Sequence, residues 1–113
     1  MKISSNFDSG NIKVIDATDP LNIQLEINND HNSEFYQWFH FRLETTPYQL
    51  HKLNINQLEK SAYPDGWEGY QAVASYDRQT WFRVPSNYEN GTLSFEIEPE
   101  CGSVYFAYFA PYS

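Results

Sequence analysis

Cysteine, basic side chains and long apolar runs are all scarce in this chain of 113 residues. Cys101 is the single cysteine, which excludes an intrachain disulfide and fits the reducing conditions of the cytoplasm. No base partner is evident beside Cys101, so a buried or bystander thiol is a better interpretation than a nucleophile. No stretch comes near the roughly 18 apolar residues of a membrane span, and the polar N-terminus lacks the apolar region of a signal peptide.

Basic residues are outnumbered by acidic ones. Seven Lys and Arg residues stand against fifteen Asp and Glu residues, which gives a net charge of −8. Such a surface repels phosphate backbones and anionic membranes, and no run of Lys or Arg forms a basic patch. We therefore expect no nucleic-acid or membrane partner, and we interpret the acidity as a source of solubility.

Aromatic side chains, by contrast, are plentiful. Hydrophobic residues make up 41% of the sequence and aromatic residues 18%, with Tyr and Phe dominating. Each aromatic ring buries a large area, so this supply is enough for the core of one domain that spans residues 1–113.

The apolar residues recur with a period of two, which is typical of half-buried strands. The clearest alternations are at residues 21–27 and 93–97, and turn signals such as Asn90-Gly91 separate the segments. Eight strands are predicted, at residues 11–15, 21–27, 35–43, 48–55, 70–76, 80–84, 93–97 and 103–109. The pattern predicts an all-β fold, an antiparallel β-sandwich of about eight or nine short strands, with one helical turn at residues 57–62 that Pro64 ends.

One short motif has the spacing of a metal site. His31 and Glu34 form an H-x-x-E pair, and zinc catalysis needs a third protein ligand. His40 or His51 could supply it if residues 35–43 and 48–55 formed a hairpin, which would place these two histidines opposite each other. The run around His31 is polar and resembles a solvated turn, so structural or solvated histidines are the preferred interpretation and a small metal enzyme is the alternative.

No other pattern in the sequence indicates a catalytic site. The sequence has no G-x-S-x-G elbow and no phosphate-binding loop. Glu96, Glu98 and Glu100 share one strand face, but that face is predicted to be solvated, where no carboxyl pKa would be raised. We therefore expect that this chain alone is not an enzyme.

Tryptophan and arginine occupy strand positions that alternation assigns to the polar side. These are Trp38 with Arg42, and Trp81 with Arg83. Both residue types are enriched at buried interfaces. Two interpretations remain open: loops of the same domain cover the rings, or the rings form an interface with another partner.

Several segments occur in the order typical of one family. They are F-x-S-G-N at residues 7–11, Q-W-F-x-F-R at 37–42, W-E-G-Y at 67–70, W-F-R-V at 81–84 and Y-F-A-Y-F-x-P-Y-S at 105–113. Together they span nearly the whole chain. The sequence therefore resembles the N-terminal β-sandwich domain of cytosolic-type zinc carboxypeptidases of the M14 class.

The resemblance implies that a catalytic domain follows Ser113 and carries the zinc, held by an H-x-x-E pair and a distant His. On this basis the chain itself holds no cofactor and is a non-catalytic, cytoplasmic accessory domain that packs on and supports the catalytic domain. The parent protein would hydrolyse C-terminal residues of peptides or proteins. The His31–Glu34 pair lies within the accessory domain, so its spacing is a coincidence.

The expected docking surface combines the Trp and Arg positions with the last, aromatic strand. Its members are Trp38, Arg42, Trp81, Arg83, Tyr105, Tyr108 and Tyr112. Exposed aromatics there also predict weak self-association. The alternative function is a free-standing carbohydrate- or peptide-binding sandwich that uses Trp38, Trp67 or Trp81 as stacking platforms.

Overall fold

A computed structural model of the protein describes residues 1–28, 37–61 and 64–111. Within these residues the chain forms ten short strands and two 3₁₀ turns, which confirms the all-β prediction with slightly more strands than expected. The strands are β1 (Lys2–Ser4), β2 (Lys13–Asp16), β3 (Ile23–Glu26), β4 (His40–Glu44), β5 (His51–Asn56), β6 (Ala72–Ser75), β7 (Phe82–Val84), β8 (Ser86–Glu89), β9 (Thr92–Ile97) and β10 (Ser103–Ala107).

The strands pair into two five-stranded sheets. Sheet I has the order β1-β4-β10-β6-β7, and sheet II has the order β2-β3-β5-β9-β8. The observed pairings are antiparallel except that β3 and β5 run parallel, with Ile23 opposite Leu53. In sheet I the last strand of the chain lies at the centre, between β4 and β6.

The core lies between the two sheets and follows the alternation seen in the sequence. Phe41 on β4 and Phe106 on β10 point inward from sheet I, with ring centroids 5.3 Å apart. Phe95 on β9 points inward from sheet II and brings its ring within 5.2 Å of Phe106. Phe106 thus joins the two sheets, and the outward-pointing neighbours of these residues form the opposite face of each sheet.

Strands β4 and β5 do not form the hairpin that would have placed His40 opposite His51. Strand β4 lies in sheet I, whereas β5 lies in sheet II, so residues 45–50 cross from one sheet to the other. Within the crossing, Tyr48 adopts a φ of 65° and its N–H donates to the carbonyl of Pro99. The crossing lets Phe41 and Leu53 enter the core from opposite sides, and it separates His40 from His51.

Two strands and one 3₁₀ turn were not predicted from the sequence. Strands β1 and β8 are short and mostly polar, so neither shows a readable alternation. The predicted helical turn is present as a 3₁₀ turn at Leu58–Lys60. Pro64 was expected to end the helical segment, but it begins a second 3₁₀ turn, Pro64–Trp67, which carries the buried Trp67.

The turn between β8 and β9 depends on glycine. Asn90 and Gly91 both have positive φ values, 53° and 79°, as a two-residue hairpin turn requires. Gly91→Ala is expected to lower the free energy of unfolding by about 1–2 kcal/mol, because an L side chain is strained in the left-handed region. Urea unfolding curves measure this loss.

Gly69 provides the matched control for this prediction. Its φ is 76°, and a Cβ at that position would meet no atom within 4 Å. A Cβ at Gly91 would meet the exposed Glu59 carboxylate, which can rotate away. Gly69→Ala should therefore lower the free energy of unfolding by nearly the same amount. A Gly91→Ala variant as stable as the parent sequence would contradict the role of backbone strain.

Candidate docking face

The side of sheet I that faces away from sheet II is called here the outer face. Cross-strand pairing places two rows of residues on it: His40, Ala107, Val73 and Arg83, and beside them Arg42, Tyr105 and Ser75. Five of the seven predicted docking residues lie on or against this face, and Tyr112 lies outside the described residues. The outer face is therefore where the predicted site can be examined.

His40 sits at the centre of a group of rings. The rings of Phe7, Trp38, Trp81 and Tyr105 have centroids 4.9, 5.8, 5.9 and 6.2 Å from that of His40. We call these five residues the ring cluster. The cluster leaves the His40 side chain fully buried, although alternation alone placed it on the polar side.

The loop that precedes β2 closes one side of the ring cluster. Trp38 Nε1 donates to the carbonyl of Ser9 at 2.8 Å, and the Ser9 hydroxyl shares a hydrogen bond of 3.1 Å with His40 Nδ1. Gly10 lets this loop turn tightly, because a Cβ there would lie 2.1 Å from the carbonyl oxygen of Ser5. The F-x-S-G-N segment thus covers one side of the ring cluster with residues of the same chain.

Burial also changes the chemistry of His40. Loss of solvent, together with the nearby Arg78 charge, lowers the pKa of His40 to about 4. Its Nε2 atom is buried and has no hydrogen-bond partner among the described residues. His40 is therefore neutral at physiological pH.

The turn between β6 and β7 closes the other side of the ring cluster. The Asp77 carboxylate accepts hydrogen bonds from the backbone N–H groups of Thr80 and Gln79 and from the Ser75 hydroxyl, which lower its pKa. This turn projects Arg78, at a φ of 64°, so that its guanidinium lies 5.5 Å from the Phe7 ring and 5.1 Å from the Tyr105 ring. Cation–π contacts hold Arg78 over the cluster.

The other two arginines of the outer face differ in their surroundings. Arg42 donates from Nε to the Ser103 hydroxyl at 2.7 Å and forms an ion pair with Glu44 at 3.3 Å. Its guanidinium also lies 5.8 Å from the Tyr105 ring. Arg83 is exposed and borders an open groove of about 500 Å³, whose walls include Trp81 and Phe109.

Tyr108 anchors the end of β10 rather than standing free. Its N–H donates to the carbonyl of Phe39 at 3.0 Å, and its ring lies 5.0 Å from Tyr70 and 5.2 Å from Trp67. The Tyr70 hydroxyl donates back to the carbonyl of Tyr108. Burial, and to a lesser extent Tyr108, raises the pKa of Tyr70, so this hydroxyl keeps its proton.

Phe109 completes the exposed apolar part of the face. Its ring lies 4.9 Å from Trp38, and half of its surface remains exposed. Phe7, Arg78 and Phe109 were not predicted as site residues from the sequence. Their positions depend on contacts between distant segments. Phe7 and Phe109 belong to the F-x-S-G-N and Y-F-A-Y-F-x-P-Y-S segments, whereas Arg78 belongs to none of the segments noted in the sequence.

The candidate metal residues do not come together. His31 and Glu34 lie outside the described residues. His51 is buried in sheet II, with Nε2 hydrogen-bonded to the Thr45 hydroxyl and Nδ1 to the carbonyl of Gln49, both at 2.7 Å. In residues 1–28, 37–61 and 64–111, no group of three or more His, Cys, Asp or Glu side chains could hold a metal ion.

The structure also shows the positions of other side chains that were noted in the sequence. Trp67 is fully buried, so its proposal as a stacking platform is wrong. Cys101 is exposed, which fits a bystander thiol and not a buried one. Glu96, Glu98 and Glu100 are exposed, as predicted. Over the described parts of the chain, no helix is long and apolar enough to cross a membrane.

Comparison with known proteins decides the family. A model of the cytosolic carboxypeptidase N-terminal domain matches residues 3–109. The chain belongs to this family. An uncharacterized protein of Zymomonas mobilis is 42% identical over all 113 residues, which make up 30% of that protein.

Solved structures of similar sequence carry the same fold. A metallo-carboxypeptidase from Pseudomonas aeruginosa, solved with (2-guanidinoethylmercapto)succinic acid, is 53% identical, and its TM-score is 0.95. One from Burkholderia cenocepacia is 44% identical, and its TM-score is 0.94. The match covers 100% and 99% of this chain, respectively, but only 30% of each of those chains. The chain thus corresponds to the N-terminal, accessory part of metallo-carboxypeptidase-like proteins.

Proposed function

We propose that this chain is the non-catalytic accessory domain of a cytoplasmic zinc carboxypeptidase, and that its outer face docks on the catalytic domain. The observation that carries the proposal is the close match to about 30% of two metallo-carboxypeptidase chains. The remaining, larger part of such a parent protein would follow Ser113 and hold the peptidase site. The parent would release C-terminal residues from peptides or proteins.

The described residues of this chain do not fit a zinc site. His40 and His51 belong to different sheets, and the hydrogen bonds of His51 occupy both of its ring nitrogens. Zinc, if it serves the parent, is therefore assigned to the catalytic domain, where it would activate water for hydrolysis. No catalytic step is assigned to residues of this chain.

The docking residues proposed from the sequence are kept as a proposal: Trp38, Arg42, Trp81, Arg83, Tyr105, Tyr108 and Tyr112. This proposal is supported by the partial exposure of Trp38, Trp81 and Tyr105 beside the exposed Phe109. Interfaces between domains of one chain bury roughly 600–1,500 Å², and aromatic and Arg side chains are enriched in interface cores. Without the catalytic domain, the same rings would support weak self-association.

The parent protein tests this function. We expect the reading frame after Ser113 to encode a second H-x-x-E and a distant His, and the purified parent to release C-terminal residues in a zinc-dependent manner. Removal of residues 1–113 should leave a catalytic domain that aggregates or unfolds at lower temperature, because the outer face no longer covers it.

Two results would contradict the proposal. One is a parent protein without peptidase activity after zinc loading. The other is a truncated catalytic domain whose kcat/KM and melting temperature equal those of the parent. A free-standing binding module would instead show quenching of tryptophan fluorescence by a glycan or peptide in the absence of any further domain.

A further inference from the structure

Every arginine in the sequence lies on the outer face. The three residues are Arg42, Arg78 and Arg83, and they come from β4, from the turn after β6 and from β7. Cross-strand pairing and ring contacts fix all three on the same side of sheet I. In a chain of net charge −8, this distribution concentrates the guanidinium groups where the aromatic rings are exposed.

Two of these arginines have no ion-pair partner among the described residues. Arg42 is paired with Glu44, but neither Arg78 nor Arg83 has a carboxylate within 4.0 Å among the residues that the structure describes. The chain carries fifteen acidic residues, so carboxylates are not in short supply. The guanidinium groups of Arg78 and Arg83 are therefore available to an external acceptor.

Arg78 is also held in place before any partner arrives. Its guanidinium rests against the rings of Phe7 and Tyr105, and the hydrogen bonds of Asp77 fix the turn that carries it. A guanidinium stacked on aromatic faces keeps its planar edge of N–H donors free for a carboxylate. Less conformational entropy is lost when such a pre-organised side chain forms a pair.

Arg83 stands at the rim of the groove that Trp81 and Phe109 line. A partner that covers these rings would exclude water from the rim, where an Arg–carboxylate pair is bidentate and stronger than on an open surface. An apolar centre with arginines around it matches the anatomy of specific interfaces.

We propose that the surface of the catalytic domain docked on the outer face presents carboxylates to Arg78 and Arg83. This inference rests on the docking stated under the proposed function, and it adds the chemistry of the partner surface. Charge complementarity is its basis, because the two unpaired arginines and the surrounding rings suit an acidic surface. Docking is then weakened by salt and by loss of either guanidinium.

Hydrogen–deuterium exchange of the full-length parent tests the inference. At about 20 mM NaCl we expect β6, β7 and the turn between them to be protected, and at about 500 mM NaCl to exchange roughly tenfold faster, because salt screens charge pairs. In an Arg78→Gln/Arg83→Gln variant these segments should exchange at the fast rate at both salt concentrations.

Matched variants separate docking from folding. Lys52 is exposed on the outward side of sheet II, so Lys52→Gln removes a positive charge away from the outer face and should leave both rates unchanged. Arg78→Lys/Arg83→Lys keeps the charge and should retain the salt dependence with weaker protection. Unchanged exchange of the core strands β5 and β9 in every variant shows that the domain itself remains folded.

The outcomes distinguish the two proposals. Protection that responds neither to salt nor to the arginine variants overturns the carboxylate inference while docking through the aromatic rings stands. Fast exchange at every salt concentration in a monomeric parent overturns the docking itself. Protection that appears only as protein concentration rises identifies a second copy as the occupant and overturns the assignment to the catalytic domain.

Discussion

Replacement of Trp67 by alanine is expected to lower the free energy of unfolding by about 3–5 kcal/mol. Trp67 is fully buried, and its ring packs within 5.1 Å of Tyr70, 5.2 Å of Tyr108 and 6.4 Å of Phe39. Removal of the indole leaves a cavity where the second 3₁₀ turn, Pro64–Trp67, packs against Tyr108 at the end of β10. Urea unfolding followed by far-UV circular dichroism measures the loss.

The indole N–H of Trp67 makes a separable contribution. It donates to the Ser61 hydroxyl at 2.8 Å, and that hydroxyl donates to the carbonyl of Leu58 at 2.7 Å, which links the two 3₁₀ turns. Trp67→Phe keeps most of the ring and should lower the free energy of unfolding by only about 1–2 kcal/mol. A Trp67→Ala variant that loses less than its Trp67→Phe counterpart would show that the cavity argument fails.

Lowering the pH is expected to reduce the stability of the fold because His40 is held in its neutral form. The folded-state pKa of about 4 lies below the ordinary value of 6.5, so between these values the unfolded chain binds a proton that the folded chain does not. Stability therefore falls as the pH drops from about 6.5 to about 4, by about 3 kcal/mol in total, and this contribution then levels off. Unfolding curves at a series of pH values measure the slope.

His40→Phe supplies the control for the acid prediction. A phenyl ring fits the aromatic cage and cannot take up a proton, so stability should become nearly independent of pH across this window. The hydrogen bonds that lower the pKa of Asp16 and Asp77 matter only near and below the ordinary carboxyl value of 3.8. An NMR titration in which the His40 ring protonates near pH 6.5 would refute the lowered pKa directly.

Local periodicity predicted the strands well. The alternation at residues 21–27 and 93–97 corresponds to β3 and β9, and most of the residues it assigned to the core are buried, except Leu21, which is exposed, and Ile97, which is half-buried. Short-range patterns work here because the side chains of a strand point alternately to its two faces. The polar strands β1 and β8 carry too little apolar contrast for the same signal to appear.

Pairing and burial across the molecule could not be predicted in this way. Nothing in the alternation of β4 and β5 distinguishes two strands of one hairpin from two strands in facing sheets. The burial of His40 depends on Phe7 and Arg78, which approach from loops distant in sequence. The docking residues were predicted from residue type and strand alternation, and the structure adds that Arg42 is paired with Glu44.

The central position of β10 has a consequence for the order in which the domain can assemble. Until residues 103–107 are available, sheet I consists of two separate strand pairs, β1 with β4 and β6 with β7. Sheet II has all of its strands by residue 97. On a ribosome, the second sheet can therefore form first, while the first waits for the final strand to bridge its halves. Such long-range closure is slow and leaves apolar edges exposed in the interval.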